Sequence, residues 1–536
     1  MRAVLGASQG RGYRALLEAA RQPRDTQLRL LRRILAANQA TEFGERHGFG
    51  RLSDAQAYRR AVPIQTYEQI RELIERQERT GQRCLTTERP VYYHRTSGTV
   101  GTPKNIPVTA SGLECIRRHQ RISAYSQSRA TALFEGRILG IGGQAVEGRM
   151  AGGTPFGSAS GLIYRNQPGF IRRQYALPPE LSDIGDYDAR YLAMAVYGLA
   201  QASVSCIASA NPSTFLRLLA VIEQQADAIL DAIGSGRLPG ALARLRIQPR
   251  PRRAAALARR LGGPGRLSFA DLWPNLRGVV CWTGGSCAVA LDALQELLPE
   301  GAQVVELGYL ASEVRGTINV DAARNDCLPA LLDAVFEFAE REDWEAGCAD
   351  LLGLHELEQG HEYYIFVTTG DGLYRYDMND IVRVNGAVHA TPTLEFVQKG
   401  KGTTNITGEK LYEAQVLSAV TGALRERAIR PRFFIALADA QGAGYTLFVE
   451  SDSPGDRTGL DDAVDRRLRA LNIEYDAKRG SGRLRPVRVR WLENGAGDRY
   501  RINRVAAGQR DAQFKHLHLQ YAHECPFDFD GLTERA

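Results

Sequence analysis

The stretch Thr96-Ser97-Gly98-Thr99-Val100-Gly101-Thr102-Pro103-Lys104 is the part of the chain best suited to chemistry. From Thr96 to Thr102 every residue except Val100 is a glycine or carries a hydroxyl. Small residues let backbone N–H groups approach phosphate oxygens, hydroxyls add donors, and the terminal lysine adds charge. A plain polar turn would share this composition but would not need the lysine. The pattern G-x-x-x-x-G-K-[ST] is not matched, which argues against an unrelated ATP hydrolase of that type.

Lysine itself is informative. Of 68 basic residues only six are lysine: Lys104, Lys399, Lys401, Lys410, Lys478 and Lys515. Such a bias replaces lysine by arginine wherever either serves. A surviving lysine therefore points to a place that needs a compact charge on a flexible stem. Other clusters carry less. His355 and His361 stand beside Glu356 and Glu362, but the turn signal Gln359-Gly360 separates them and no metal site is expected there.

The elements that position these residues come next. A chain of 536 residues can bury one large core and at least one smaller domain. The segments at residues 137–143, 204–209, 278–285 and 303–312 read as buried strands, with helical stretches such as 213–233 between them. That alternation predicts an α/β core, with sheets flanked by helices. Hairpins rich in Tyr and Val follow at 362–369 and 372–384. Gln398–Thr404 (QKGKGTT) reads as a hinge, so residues 1–398 form the expected large domain and 399–536 a small α+β one. In the small domain, strands are expected at 432–438, 445–450 and 486–492, and a helix at 460–471.

Eight cysteines without a C-x-x-C pair read as reduced thiols of a cytoplasmic protein. Neither a signal peptide nor a membrane span is expected from the apolar runs. The net charge of +7 is spread among acids along the chain, so nucleic acid is not an expected partner.

The phosphate-loop stretch resembles that of the ANL adenylate-forming superfamily. Its flanks are similar, more narrowly, to the auxin-responsive Gretchen Hagen family of acyl-acid–amido synthetases and its bacterial members. The supporting residues are Thr41-Glu42-Phe43-Gly44, Val62-Pro63-Ile64 with Tyr67, and Ile106-Pro107-Val108-Thr109. They continue with Leu272-Trp273-Pro274-Asn275-Leu276, Tyr309 to Glu313, Gly372-Leu373-Tyr374-Arg375-Tyr376, Gly408-Glu409-Lys410 and Gln513-Phe514-Lys515. The order is that of the family, over roughly residues 40 to 520.

The resemblance implies a role at each matching position. Thr96, Ser97, Gly98, Thr99, Gly101, Thr102 and Lys104 would cradle the phosphates of ATP. Tyr309 would stack on adenine, Ser312 would join the nucleotide site, and Glu313 would hold Mg²⁺. Gly284-Gly285 would flank adenine. Asp380 would accept the ribose hydroxyls, with Lys399 close to the nucleotide. Lys515 would be the lid lysine that bridges the acyl carboxylate and the α-phosphate, so Lys515, Lys104 and Glu313 are the expected catalytic set. On residue type alone, Glu313 could be a surface carboxylate, Asp380 a hairpin-turn aspartate and Lys401 plain linker charge. The sequence departs from the family at Asp377, at Asn379 in place of glycine, at Leu310-Ala311, and at Val314-Arg315 where glycine is common.

The implied activity is a ligase that uses ATP to make an acyl-adenylate, releases pyrophosphate, and passes the acyl group to an amine such as an amino acid. A coenzyme A or carrier-protein ligase sharing the first step is the nearest alternative, and a nucleotide-binding regulatory protein without catalysis is another. The acid pocket is expected among Gly142–Phe170 and Cys206–Phe215, able to hold a small aromatic or apolar acid.

Overall fold

The computed structural model describes residues 2–534 apart from 96–103, 166–168, 264–265, 285–286, 349, 401, 405, 407–408, 410, 454, 481, 483 and 507–515. The chain forms two compact units. The first comprises residues 1–283, 294–378 and 382–395, and the second 284–293, 379–381 and 396–536.

In the first unit, strands β1 (Tyr92–Arg95), β2 (Asn105–Val108), β3 (Arg137–Gly140), β4 (Gly148–Arg149), β5 (Pro155–Gly157), β6 (Val204–Ala208), β7 (Gly278–Cys281) and β8 (Gln303–Glu306) build two sheets. One has the order β2-β1-β5-β4 and the other β3-β6-β7-β8. Every pairing in the second sheet is parallel. Parallel sheets are covered on both faces, which demands continuous apolar runs rather than alternation. Val204-Ser205-Cys206-Ile207 and Gly278-Val279-Val280-Cys281 meet that demand and are buried throughout. Beyond β8 lie β9 (Thr317–Asp321), β10 (Asp326–Pro329), β11 (Ala334–Glu340), β12 (Glu362–Thr369), β13 (Tyr376–Val388) and β14 (Thr391–Lys399). β9 pairs with β10, and the other four form a sheet in the order β11-β12-β13-β14.

Two expected strands are shorter than their apolar runs. Gly278–Gly285 becomes β7 alone, and Gln303–Ser312 becomes β8 followed by a hairpin. Gly308 causes the second difference: its φ is +95°, and a Cβ there would lie 2.8 Å from the Thr317 carbonyl oxygen. Only glycine takes that backbone turn at that separation.

The motifs that carry the family resemblance pack on one another. Phe43 stacks on Tyr374 with ring centroids 4.9 Å apart, and the Tyr374 hydroxyl donates to the Leu85 carbonyl at 2.6 Å. Gln65 donates its N–H to the Arg375 carbonyl at 3.0 Å and receives the Asp377 N–H at 2.9 Å. Arg375, 5% exposed, donates to Glu337 at 3.0 Å and to the carbonyls of Arg59 and Val62 at 3.0 and 2.6 Å. Arg59 holds the other Glu337 oxygen at 2.9 Å. Arg375 is thus tied to one carboxylate and two carbonyls inside the fold, which makes it scaffold. Trp273 is scaffold too, fully buried with its indole N–H on the Gly198 carbonyl at 3.1 Å.

In the second unit, β15 (Thr403–Thr404) and β16 (Leu411–Tyr412) pair with each other. Strands β17 (Phe433–Asp439), β18 (Gly444–Glu450), β19 (Arg488–Leu492) and β20 (Leu519–Tyr521) form a sheet in the order β19-β18-β17-β20. β17 is apolar on both faces. Phe434, Ala436 and Ala438 face a core with the helices Glu413–Glu426 and Leu460–Leu471, while Phe433, Ile435 and Leu437 face Tyr500 and Phe529. A period of two thus sends each set to its own layer.

One buried acid has a measurable consequence. Asp371 precedes the Gly372–Tyr376 motif and accepts the N–H and hydroxyl of Thr109, the N-cap of the helix Ala110–Ala130, at 2.8 and 2.7 Å. Burial outweighs these bonds and pushes its carboxyl from the usual 3.8 up to about 6. The folded state therefore holds an extra proton between those pH values. The stability this group contributes is full below 3.8 and lost as pH rises through about 6. Asp371→Asn keeps an acceptor for Thr109 and cannot ionise. Its unfolding free energy should improve relative to the wild type as pH is raised from 4 to 7, by up to roughly 3 kcal/mol, read from denaturant titrations. A difference that stays flat with pH would refute this account.

Candidate active site

In the first unit the site is built on the ends of two hairpins. β1 and β2 pair from Tyr92↔Val108 to Arg95↔Asn105, so residues 96–104 connect them. Thr96, Ser97, Gly98, Thr99, Gly101 and Thr102 lie outside the described residues, but both anchors of the loop are visible. On the incoming side, His94 is 4% exposed and donates from Nδ1 to the Ser312 carbonyl at 3.0 Å. Arg95 donates to the Asn105 side chain at 2.9 Å and lies 3.3 Å over the Phe156 ring. On the outgoing side, the Lys104 ammonium donates to the Tyr376 hydroxyl at 3.1 Å. It sits 5.8 and 5.7 Å from the ring centres of Tyr67 and Tyr376. Aromatic faces attract a cation without neutralising it.

The second hairpin runs from Tyr309 to Gly316. The Tyr309 carbonyl accepts the N–H groups of Gly316 and Thr317 at 2.8 and 3.1 Å, Leu310 bridges to Arg315, and Ala311 donates to Val314 at 2.9 Å. This leaves Ser312 and Glu313 at the tip. Tyr309 is 7% exposed, and its ring lies so close to Gly316 that a Cβ there would be 2.3 Å away. Glu313 is half-buried, and among the described residues its carboxylate accepts no hydrogen bond and forms no ion pair. Magnesium bound to a nucleotide takes one or two protein carboxylates and completes its shell with phosphates and water, so a lone available carboxylate fits that ion.

Sequence reasoning missed the residue that aims this hairpin. Glu306 ends β8 and its carboxylate spans two strand ends. One oxygen accepts the N–H and hydroxyl of Thr283, at 2.7 and 2.5 Å, and the other accepts the Gly308 N–H at 2.7 Å. The chain leaving β7 toward Gly284 and the chain leaving β8 toward Tyr309 are thereby fixed together. Its backbone is held as well, by Asn325 at 2.8 Å and Asn319 at 2.9 Å. The available signal was an ionisable residue closing an apolar strand, Val304-Val305-Glu306.

Close to the hairpin base, burial pushes the Arg315 guanidinium down to about 10. Around the expected acid pocket, Ser158 and Ser160 tie the segments 142–145 and 157–161 together. Ser158 Oγ donates to the Gln144 carbonyl and receives the Gly161 N–H, both at 2.9 Å, and Ser160 Oγ accepts the Gly143 N–H at 2.9 Å. Cys206 and Phe215 are fully buried.

In the second unit, three more expected residues lie on or against the segment 396–400. Gly284 passes the Phe396 carbonyl oxygen so closely that a Cβ would lie 2.6 Å from it. Asp380, 2% exposed, forms an ion pair of 2.5 Å with Lys399, whose side chain is about half exposed. The Gly400 N–H donates to the Asn379 carbonyl at 2.9 Å. Asn379 has a φ of +48°, which explains why glycine is usual there and why asparagine, the best tolerated of the alternatives, can stand in. Asp380 lies within strand β13, so the hairpin-turn reading does not hold. Gly285, Lys401, Lys410 and Lys515 lie outside the described residues.

Models of three domains match the chain: the GH3 family N-terminal domain over residues 12–302, the central domain over 329–399 and the C-terminal domain over 414–524. The chain belongs to the GH3 family. It is an enzyme of that family, an ATP-dependent ligase that adenylates an acyl acid and conjugates it to an amino acid. A relative from Oryza sativa subsp. japonica, named "Probable indole-3-acetic acid-amido synthetase GH3.12", is 26% identical over 92% of this chain and 91% of its own length. The solved AtGH3.15 acyl acid amido synthetase in complex with 2,4-DB shares the fold with a TM-score of 0.85, at 21% identity over 98% of this chain and 96% of that one. A 2-hydroxyisobutyryl-CoA ligase in the postadenylation state is a more distant neighbour of the same fold, with a TM-score of 0.57 and 11% identity over 94% and 90% of the two chains. Among the described residues no helix of this GH3 enzyme is long and apolar enough to cross a membrane.

Glu306→Gln tests the strand-end clamp. The new amide must turn its NH₂ toward either Thr283 or Gly308, both of which donate. Loss of one buried acceptor should lower stability by about 1–3 kcal/mol, read as a shifted denaturant midpoint. An unshifted midpoint would count against the clamp.

Proposed function

We propose that this GH3 enzyme works in the cytoplasm, activating a small aromatic or apolar carboxylic acid with Mg·ATP and joining it to the amino group of an amino acid. The observation that carries this reading is the His94–Ser312 bond. It ties strand β1, two residues before the phosphate loop, to the tip that bears Glu313, so the strand leading into the loop and the carboxylate assigned to the metal share one anchor. Curated relatives named for indole-3-acetic acid and a solved neighbour with bound 2,4-DB support an aryl-bearing acid as the first class to try.

Each residue then has a task. Thr96–Thr102 and Lys104 hold the phosphates through backbone N–H groups, hydroxyls and charge. Mg²⁺ held by Glu313 would neutralise charge on the departing pyrophosphate. Tyr309 lies against adenine and Gly284-Gly285 leave room for its edge. Asp380 accepts the ribose hydroxyls once the flexible Lys399 side chain moves aside, since a carboxylate can take two donors and lysine is easily displaced. The acid's carboxylate oxygen attacks the α-phosphorus and pyrophosphate leaves. Lys515 supplies a point cation where charge develops at that phosphorus. We assign it to a lid module, residues 399–536, acting on the large domain, residues 1–398. Its withdrawal lets the amine attack the acyl carbon, and AMP departs.

Two measurements test this. ATP–pyrophosphate exchange over a panel of acids should rise with aryl or apolar acids, and product should form with amino acids rather than with coenzyme A; thioester formation without amide would overturn the acceptor assignment. Lys515→Ala should depress exchange by on the order of a hundredfold or more while nucleotide affinity stays near the wild-type value. Equal loss of exchange and of ATP binding would refute the lid role.

A further inference from the structure

The hairpin that bears Glu313 returns through Arg315. This side chain is half-buried, with its Nε closed off from solvent, and among the described residues the guanidinium makes no hydrogen bond and no ion pair. A guanidinium carries five N–H donors and keeps its charge in proteins. A fold that buries such a group ordinarily gives it an anion, because an uncompensated buried charge is costly. Among the described residues no acid does so for Arg315. Nearby Arg118 pairs with Asp333.

The helix Ala110–Ala130 packs on β9, which begins two residues beyond Arg315. It brings two further polar groups without partners. His119 is 3% exposed and its Nδ1 has no hydrogen bond, and the buried Nε2 of Gln120 has none either. Burial first, and then the charges of Arg315 and Arg118, hold His119 well below its ordinary range. The Arg315 charge is therefore felt on this face of the helix. One positive charge with neutral polar neighbours balances a monoanion better than a polyphosphate, and the planar fork of arginine matches a carboxylate with two parallel bonds.

We propose that Arg315 receives the carboxylate of a small-molecule substrate, with His119 beside it. Two substrates of the ligase carry one, the acyl acid and the amino-acid acceptor, so this inference rests on the activity proposed above. It concerns a position at which the chain departs from its family pattern, and it assigns specificity to that departure.

The test compares wild type, Arg315→Gln and Arg315→Lys for KM of ATP, of the acid selected by the exchange screen, and of alanine against alaninamide. Arg315→Gln should raise one carboxylate KM at least tenfold, with the ATP value unmoved, and Arg315→Lys should recover part of the loss. A change in the acid's KM during exchange identifies the acid as the ligand. An unchanged exchange reaction, with a raised KM for alanine but not for alaninamide, identifies the acceptor. Unchanged values for both carboxylates, or an ATP value that rises in step, would overturn the proposal. Should the wild type show no exchange with any acid, the activity reading fails first. Thermal shifts with benzoate and with alanine then decide this one: stabilisation of the wild type that is weaker in Arg315→Lys and lost in Arg315→Gln supports the receptor, and equal or absent shifts overturn it.

Discussion

A carboxylate that accepts three hydrogen bonds at the ends of two parallel strands sets the geometry on which the first unit's site depends. Parallel strands end abruptly at their carboxyl edge, and the chain beyond them has no ladder to hold it. Glu306 supplies what the ladder no longer does, with one oxygen on Thr283 and the other on Gly308. An amide could serve only one side, and a hydroxyl would not reach both, so the acceptor-only carboxylate is the side chain the task selects. Tyr309, Ser312 and Glu313 inherit their positions from it through Gly308, whose left-handed backbone starts the hairpin. His94 then carries that order across to the phosphate loop. Loops that bind nucleotides must present unpaired groups, so the rigidity has to come from residues behind them.

Much of the fold was legible because burial on both faces leaves a plain trace. The runs that became β6, β7 and β17, and the helix Leu460–Leu471, are read directly from apolar continuity or helical spacing. The ends of strands were less legible. The ionisable Glu306 in Val-Val-Glu-Leu-Gly-Tyr-Leu-Ala-Ser interrupts the apolar run but does not by itself end the strand, because Leu307, Tyr309 and Leu310 are as apolar as strand residues. What stops it is the backbone angle of Gly308 and the hold of the Glu306 carboxylate on Thr283, and the second depends on a strand end remote in sequence.

The site was legible in a different sense. Short motifs named its residues, but they did not distinguish scaffold from chemistry. Phe43, Tyr374, Arg375 and Trp273 all lie in stretches that carry the family resemblance, and all are spent on holding the fold. Arg375 shows why. An arginine beside glycine and tyrosine invites a phosphate-binding role until its donors are counted against Glu337 and two carbonyls. Asn379 shows the converse: a departure from the family pattern that sequence alone registers as doubt becomes a tolerated choice once its left-handed backbone is known.

Charge pairing separates these two kinds of residue more sharply than sequence does. Where charge is structural the chain closes it locally, as in Arg59–Glu337–Arg375 and in Arg341 and Arg383 on Glu362. Around the Tyr309–Gly316 hairpin it does not. Glu313 and Arg315 stand two residues apart with opposite charge and do not pair with each other. A half-buried pair of this kind adds little stability, so the fold loses little by leaving the two groups apart. On the roles proposed above, their separation would leave one position for a cation and one for an anion within a single short hairpin, as a ligase that holds a metal nucleotide beside a carboxylate would require.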